Sequence, residues 1–251
     1  KAGTGVIFIS HRLEEVLHLC ETVTVLKDGQ LVATQSARGL GKQDIVRQMV
    51  GRNLEDIFPP RLQAKSQIPV LEVKNLSTPM LHDINFTLYP GEVLGFAGLE
   101  GQGQREVVRV LFGLEKLTAG EIHLNGQHLH LSQPRTAIDA GIVFISDDRK
   151  QEGLALPLSV RENAALPNLR SFSDAGFVNR QREVAAVKEK VEAVNIKTPS
   201  LEQTVNLLSG GNQKKTVLAK WLLKSPKVVL FAEPTRGIDI GAKVEIYRLI
   251  A

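Results

Sequence analysis

The sequence predicts an α/β fold, because short apolar segments of strand type alternate with segments of helical periodicity. Val6 to Ser10, Gly141 to Ile145 and Lys227 to Phe231 are apolar runs with the length and composition of buried strands. The first and the last of these runs lead into helical patterns. Strands that are joined through helices pair in parallel, so we expect a core of mostly parallel strands.

An antiparallel β subdomain is expected beside this core, roughly Val70 to Leu94 with Glu121 to Leu129. The Asn125-Gly126 pair inside it indicates a tight hairpin turn, since both residues tolerate a positive φ. The strands predicted here are Val70 to Val73, Ile84 to Leu88, Val93 to Ala97 and Glu121 to Leu124.

Helices and one more hairpin complete the expected elements. Apolar residues at helical spacing begin at Leu13, and the Asp28-Gly29 pair between valine-rich segments predicts a hairpin. Lys42 to Val50 is helical by its pattern. The charged amphipathic segment Gln181 to Val194 predicts a helix within a helical insertion, roughly Leu154 to Ser209.

Composition restricts the class of protein. The chain has 251 residues, of which 43% are hydrophobic and 23% charged, with a formal net charge of +4. These proportions are typical of a folded globular protein, and the scattered basic residues do not indicate nucleic-acid binding. Cys20 is the only cysteine, so no internal disulfide is expected, and no run approaches the roughly 18 apolar residues of a membrane span. We expect a soluble, cytoplasmic protein.

The organisation of the chain suggests two parts of a longer protein. Regular periodicity stops between Asn53 and Pro69, where Pro59-Pro60 interrupts the chain, and this predicts a linker at a domain boundary. The chain starts at Lys1 without an initiating Met and ends inside a helical pattern at Ala251. We therefore expect the sequence to be a fragment.

A glycine-rich loop follows the strand predicted at Val93 to Ala97. GLEGQGQRE has the glycine spacing of the phosphate-binding loop GxxxxGK[ST], whose backbone N–H groups surround phosphates at the start of a helix. Gln104 replaces the lysine that pairs with phosphate, and Arg105 replaces the hydroxyl that ligates magnesium. A structural turn is an equal alternative, because glycines also allow close packing of a strand on a helix.

The motif LSGGNQKK presents Ser209, Gly210 and Gly211 at the start of a predicted helix. A hydroxyl and free backbone amides at that place can bind phosphate without a lysine, although an N-cap serine in a flexible loop is the simpler interpretation of SGG alone. Here the motif is followed by the strand Lys227 to Phe231 and then by Ala232 and Glu233. A carboxylate at the exit of a buried strand is well placed to polarise water near a phosphate.

The order of the glycine loop, LSGGNQ and EPTRGID resembles that of an ATP-binding cassette, which implies a P-loop NTPase core with an antiparallel β subdomain and a helical subdomain. ISDDRKQEGL, LSVREN and EPTRGIDIGAK resemble the second cassette of the duplicated ATPases of ribose- and galactose-type monosaccharide importers. ISHRLEEV resembles the switch-histidine region that closes a first cassette. The resemblance implies the end of a first cassette at 1–52, a linker at 53–69 and a second cassette, truncated at its C-terminus, at 70–251.

In this family two cassettes hold two ATP molecules between them. The resemblance implies that His11 and the signature residues contact one ATP, whose phosphate loop lies outside this sequence. Glu233 is the candidate base of the other site, in which Ala232 replaces the aspartate linked to magnesium and no metal ligand is assigned. That site is expected to be catalytically weak or silent. The residues assigned to nucleotide binding are Gly98, Gly101, Gly103, Gln104, Arg105, Asp147, Ser209, Gly210, Gly211, Gln213 and Asp239.

The function implied by the resemblance is an ATPase subunit, with ATP and Mg2+ as cofactors, that energises sugar import across the bacterial inner membrane. It would be peripheral on the cytoplasmic face, bound to membrane permease subunits and acting indirectly with a periplasmic sugar-binding protein. The fragment alone is expected to be inactive. Two alternatives remain: a soluble tandem cassette protein of translation or DNA repair, and a regulatory nucleotide-binding module that hydrolyses nothing.

Overall fold

The computed structural model describes residues 3–10, 12–27, 29–50, 58–60, 66–238 and 240–251. The chain divides into two compact units. Unit 1 combines Lys1–Pro60 with Gly237–Ala251, and unit 2 is Arg61–Arg236. The cassette boundaries implied by the resemblance remain a prediction. The structural division differs from them, because it groups Gly237–Ala251 with Lys1–Pro60.

Unit 1 is built on the antiparallel hairpin that the sequence predicts. Strands β1 (Thr22–Lys27) and β2 (Gln30–Ser36) pair with one shift of register between Val25 and Leu26, and helices α1 (Leu13–Leu19) and α2 (Lys42–Val50) flank them. The C-terminal helix, which we call α8 (Ile240–Ile250), packs on α2 through Val244. The core of this unit consists of Leu13, Val16, Val23, Val25, Ala37, Ile45, Val46 and Val244.

Unit 2 contains the predicted antiparallel sheet. Strand β3 (Leu71–Ser77) pairs with β4 (Ile84–Leu88) on one side and with β5 (Ala119–Leu124) on the other, and β6 (Gln127–His128) completes the sheet. The turn between β5 and β6 is the predicted Asn125-Gly126 pair, and both residues have the positive φ that such a turn requires (50° and 77°). Between β4 and β5 the chain forms helix α3 (Gln104–Leu111).

A parallel pair of strands lies beside the helices of unit 2. Strand β7 (Ile142–Ile145), which follows helix α4 (Pro134–Ala140), is buried throughout and pairs in parallel with β10 (Val228–Phe231). Helix α7 (Gly210–Leu222) covers them. Phe112, Phe144 and Trp221 bring their rings together, with Phe112 at 5.5 Å from Phe144 and 6.2 Å from Trp221. This aromatic cluster joins the end of α3 to β7 and α7.

The helical insertion between β7 and α7 is as expected. It begins with one π-helical turn at Arg149–Gly153 and continues through α5 (Val160–Ala165), a 3-10 segment at Leu166–Phe172 and α6 (Arg180–Ala193). A short hairpin of β8 (Ser173–Asp174) and β9 (Phe177–Val178) precedes α6, and a second 3-10 turn, Val205–Leu207, precedes α7. Ser159 caps α5 in a capping box with Glu162, as the Ser-x-x-Glu spacing favours.

Two predicted strands are not formed within the described residues. Val6 to Ser10 and Val93 to Ala97 have no regular secondary structure and pair with no neighbour in that part of the chain. Their apolar side chains are largely exposed, at 92% for Ile7 and 69% for Val93. The apolar pattern identified segments with strand propensity, but a strand exists only where a second strand satisfies its N–H and C=O groups. None of the described helices is long and apolar enough to cross a membrane.

A buried ion pair holds the helical insertion together. Arg161 on α5 and Glu183 on α6 have side chains only 5% and 3% exposed, and Nη1 of the arginine is hydrogen-bonded to Oε1 of the glutamate. Arg161 Nε also donates to Glu202 Oε1 at 2.8 Å. Burial alone would lower the pKa of Arg161, but the hydrogen bonds to Glu202 and Glu183 outweigh it and raise that pKa, and Arg161 lowers the pKa of Glu202. Removing one partner would leave a buried charge unpaired.

We therefore expect Arg161→Met to lower the free energy of unfolding by about 3 kcal/mol. Arg135→Met is the matched control, because the Arg135–Asp139 pair is about half exposed on both sides (52% and 54%) and such pairs contribute little. Urea denaturation followed by circular dichroism measures both variants. Equal stability of the two variants would contradict the assignment of Arg161 as a buried structural charge.

Candidate functional site

The glycine-rich loop lies directly before α3 in unit 2. Gly101 and Gly103 adopt positive φ values of 84° and 99°, and Gly103 is the N-cap of α3. The side chain of Gln104 folds back over the loop, where Nε2 donates to the carbonyl oxygen of Leu99 at 3.0 Å. A Cβ on Gly98 would collide with this same amide group. The glycines thus give the loop the tight turn before α3 that their spacing predicts, and the side chain of Gln104 lies across it.

Asp147 forms ion pairs both with the helix that follows the loop and with the turn after β10. It follows β7 by two residues, and its side chain is 8% exposed. Arg105 Nη2 lies 2.8 Å from Asp147 Oδ1, and Arg236 Nη1 lies 2.9 Å from Asp147 Oδ2. The structure therefore brings the predicted site residues Arg105 and Asp147 together, and it adds Arg236.

The exit of β10 carries the candidate base. Ala232 is buried and donates its N–H to the carbonyl of Ile145 at 3.0 Å, which extends the pairing of β10 with β7 by one residue. Glu233 then turns the chain in the left-handed region, with φ of 44°, and its side chain is exposed. Strain of this kind is found at functional sites, where the surrounding structure maintains it. The position of Glu233 fits a base facing solvent at the end of the parallel pair.

Lys214, on helix α7, places a buried ammonium group next to the site. Its side chain is almost fully buried in α7, and Nζ donates to the carbonyl of Ser146 at 3.0 Å, next to Asp147. Burial lowers the pKa of Lys214 from 10.5 to about 8, and repulsion from Arg149 adds to the effect, while Asp147 and Glu233 partly offset it. The next residue, Lys215, is buried as well.

The donor set does not fit a magnesium ion. Magnesium prefers carboxylate and hydroxyl oxygens, but the exit of β10 offers the methyl group of Ala232 and the first turn of α3 offers the guanidinium of Arg105. Among the described residues no three His, Cys, Asp or Glu side chains are arranged to hold a metal. The expected Mg2+ is therefore not assigned to this site.

The signature motif forms the start of α7. Ser209 is its exposed N-cap, and its hydroxyl accepts hydrogen bonds from Asn212 N at 3.4 Å and Asn212 Nδ2 at 3.0 Å. Gly210 and Gly211 are the first two helical residues. Gln213 is 5% exposed, accepts from Arg149 Nε at 3.0 Å and donates to Val205 O at 3.1 Å. Ser209 is thus accessible to a ligand, whereas the amide of Gln213 already bonds within unit 2.

His11 and Asp239, both predicted site residues, lie outside the described residues. Sequence reasoning gave no role to Arg236 or Lys214, although both lie inside motifs it had recognised, EPTRGID and LSGGNQKK. The signal that could have identified both residues is a charged side chain inside a recognised motif.

Solved structures with the same architecture define the class. A component of an ABC transporter complex from Clostridium perfringens superposes with a TM-score of 0.60 at 20% identity, covering 73% of this chain and 76% of that one. A nucleotide-free ATP-binding cassette superposes with a TM-score of 0.61 at 17% identity, covering 72% of this chain and 76% of that one. These similarities show the fold, an α/β P-loop NTPase of the ATP-binding cassette type, and confirm the predicted class.

Residues 81–236 match the sequence profile of the family described as ABC transporter, and the chain belongs to that family. It is 44% identical to a ribose import ATP-binding protein of Lactococcus lactis over 99% of its length. It is 43% identical over 99% of its length to a putative ribose/galactose/methyl galactoside import ATP-binding protein of Agrobacterium fabrum. In both cases it spans 50% of the relative, so it represents about half the length of these curated proteins.

The lowered pKa of Lys214 predicts a pH-dependent stability. Below about pH 8 the lysine is charged in the folded and unfolded states, and its burial costs free energy. Between about 8 and 10.5 only the unfolded chain keeps the proton, so the wild type should gain about 3 kcal/mol relative to Lys214→Met as the pH rises. Urea denaturation at several pH values measures this difference. Lys188→Met, at a 66% exposed side chain, is the control, and parallel pH curves for wild type and Lys214→Met would refute the expectation.

Proposed function

We propose that the intact protein is the ATP-binding subunit of a bacterial importer of monosaccharides, acting as an ATPase on the cytoplasmic face of the membrane. The observation that carries the proposal is the identity of 43–44% over 99% of the chain with proteins named for the import of ribose and related sugars. Its partners would be membrane permease subunits and, through them, a periplasmic sugar-binding protein. The sugar substrate would bind those partners rather than this chain.

In this proposal the signature motif contributes one wall of an active ATP site. Its support is that Ser209 is exposed at the start of α7, where the first amides of a helix have no partner within the helix. A phosphate chain accepts hydrogen bonds from such groups and is stabilised by the helix dipole. His11 and a phosphate loop outside these residues would complete the site. We assign Gln213 to holding α7 in place, because its amide is already fully engaged on both sides.

The site formed by the glycine loop of this chain would bind nucleotide weakly and hydrolyse none. Glu233 is available as a base, but lysine and magnesium are what neutralise the developing charge in phosphoryl transfer. Arg105 is the one cation at the first turn of α3, and it already pairs with Asp147. This second site therefore suits a regulatory role within an ATPase that hydrolyses ATP at the first.

The first test is sugar uptake by cells that carry the full-length protein as their only ATPase of this type. Ser209→Arg or His11→Ala should each lower the uptake of labelled ribose or galactose more than tenfold, because both residues are assigned to the same ATP. The double variant should lose far less than the product of the two effects. Ser200→Arg, at another exposed serine of unit 2, is the control and should retain uptake. Independent, multiplicative losses would show that His11 and Ser209 do not share a site.

The second test restores the missing groups of the glycine-loop site. Gln104→Lys, Arg105→Thr and Ala232→Asp together supply the phosphate-pairing charge, the hydroxyl and the carboxylate that magnesium needs. Calorimetric titration with ATP should show weak, magnesium-indifferent binding by the wild type and tighter, magnesium-dependent binding by the triple variant. Ala232→Asp alone is the control. Micromolar, strictly magnesium-dependent binding by the wild type would contradict our interpretation of these three residues.

A further inference from the structure

One carboxylate joins three segments of unit 2 that are distant in sequence. Asp147 follows β7, Arg105 is in the first turn of α3, and Arg236 lies in the turn after β10. Each oxygen of Asp147 faces a different arginine, at 2.8 Å and 2.9 Å. Ser146 Oγ lies 3.5 Å from Oδ1 of the same carboxylate, and the buried Lys214 is near enough to Asp147 for their charges to interact.

The burial of the three partners is unequal. The Asp147 side chain is 8% exposed, whereas those of Arg105 and Arg236 are 47% and 62% exposed. A largely buried carboxylate depends on its cations, since an unpaired buried charge is unfavourable. The guanidinium groups remain accessible to solvent, so an anion from solution can approach them from the open side. The two arginines thus share one internal carboxylate, and the cluster of three keeps a net charge of +1.

The glycine-rich loop is also held by a contact within the protein. Gln104 Nε2 bonds to Leu99 O at 3.0 Å and lies against Gly98, so this side chain crosses the glycine-rich loop. Arg105 is the next residue in the chain, so the closure of the loop and the ion pair with Asp147 involve one helical turn. Release of Arg105 from Asp147 would free this turn to rearrange.

We propose that Arg105, Asp147 and Arg236 form an ionic latch that keeps the second nucleotide site closed, with Asp147 as an internal anion in competition with phosphate. This inference rests on the proposed assignment of Gly98 to Arg105 as the second phosphate loop. The ligand class is a polyphosphate tail without bound magnesium, because the latch offers two guanidinium groups and both oxygens of its one carboxylate already face them. A phosphate chain can approach the exposed guanidinium groups, but it can pair with them fully only when they leave Asp147. The observed affinity therefore equals that of the open site reduced by the fraction of molecules in which the latch is open.

The test uses the 251-residue chain and inorganic tripolyphosphate in EDTA at low ionic strength, measured by calorimetry. Asp147→Asn should lower the dissociation constant about tenfold, since it removes the competing charge and keeps the shape of the side chain. Asp139→Asn is the matched control, because it removes one carboxylate from an arginine pair on α4 and changes the net charge equally. Asp147→Asn with Arg236→Gln should lose part of the gain. A parallel titration with ATP in EDTA shows whether nucleotides bind in the same way.

An unchanged dissociation constant in Asp147→Asn, or an equal gain in Asp139→Asn, would overturn the latch. Hydrogen exchange provides a measurement that does not need the Asp147 variant to fold. Arg236→Ala, at an exposed side chain, should speed exchange of the Val107 amide, which donates to Gly103 O at 3.0 Å and closes the first turn of α3, and Arg135→Ala should not. Unchanged exchange there would also overturn the proposal. Sugar uptake plays no part in these measurements, so failure of the latch is distinguishable from failure of the proposed function.

Discussion

The arrangement of unit 2 depends on the lysines of helix α7. Lys214 donates to the carbonyl of Ser146 after β7, Lys215 to that of Asn195 after α6, and Lys220 to that of Gly153 at the end of the π-helical turn. A buried ammonium loses its hydration, and each of these recovers part of it from a backbone carbonyl. Burial lowers the pKa of both Lys214 and Lys220. Three segments are thereby fixed to one helix, and Asp147 is adjacent to the first of them.

The electrostatics of the glycine-loop site follow from that arrangement. With Asp147 held at the end of β7, its carboxylate meets Arg105 from α3 and Arg236 from the turn after β10. The site thus satisfies its charges internally, whereas an active phosphate loop leaves its cations for phosphate and magnesium. The substitutions at Gln104, Arg105 and Ala232 therefore act together: they remove the groups that recruit a metal, and they supply the arginine that closes the site.

The two proposed nucleotide sites differ in their residues, and this difference would give them different roles in the importer. ATP bound at the signature face of α7 would join two cassettes, and its hydrolysis would release them, so that ligand and product shift a two-state equilibrium. A second site that binds only metal-free polyphosphate, and only when its latch opens, would contribute to that equilibrium without consuming ATP. The exposed Ser209 and the internally paired Asp147 are the residues that separate the two roles.

The sequence by itself determined the class of fold, and it predicted where the chemistry lies. The apolar runs of β7 and β10, the hairpin turn at Asn125-Gly126 and the LSGGNQ and EPTRGID motifs were sufficient, because strand propensity, turn conformation and motif spacing are local properties. Tertiary structure alone decided which charges meet. Neither Lys214 nor Arg236 had an assigned role, since burial and ion pairing depend on segments far apart in the chain. For the same reason Val93 to Ala97 has the composition of a strand but does not form one within the described residues: a strand requires hydrogen bonds from a neighbour that local sequence cannot provide.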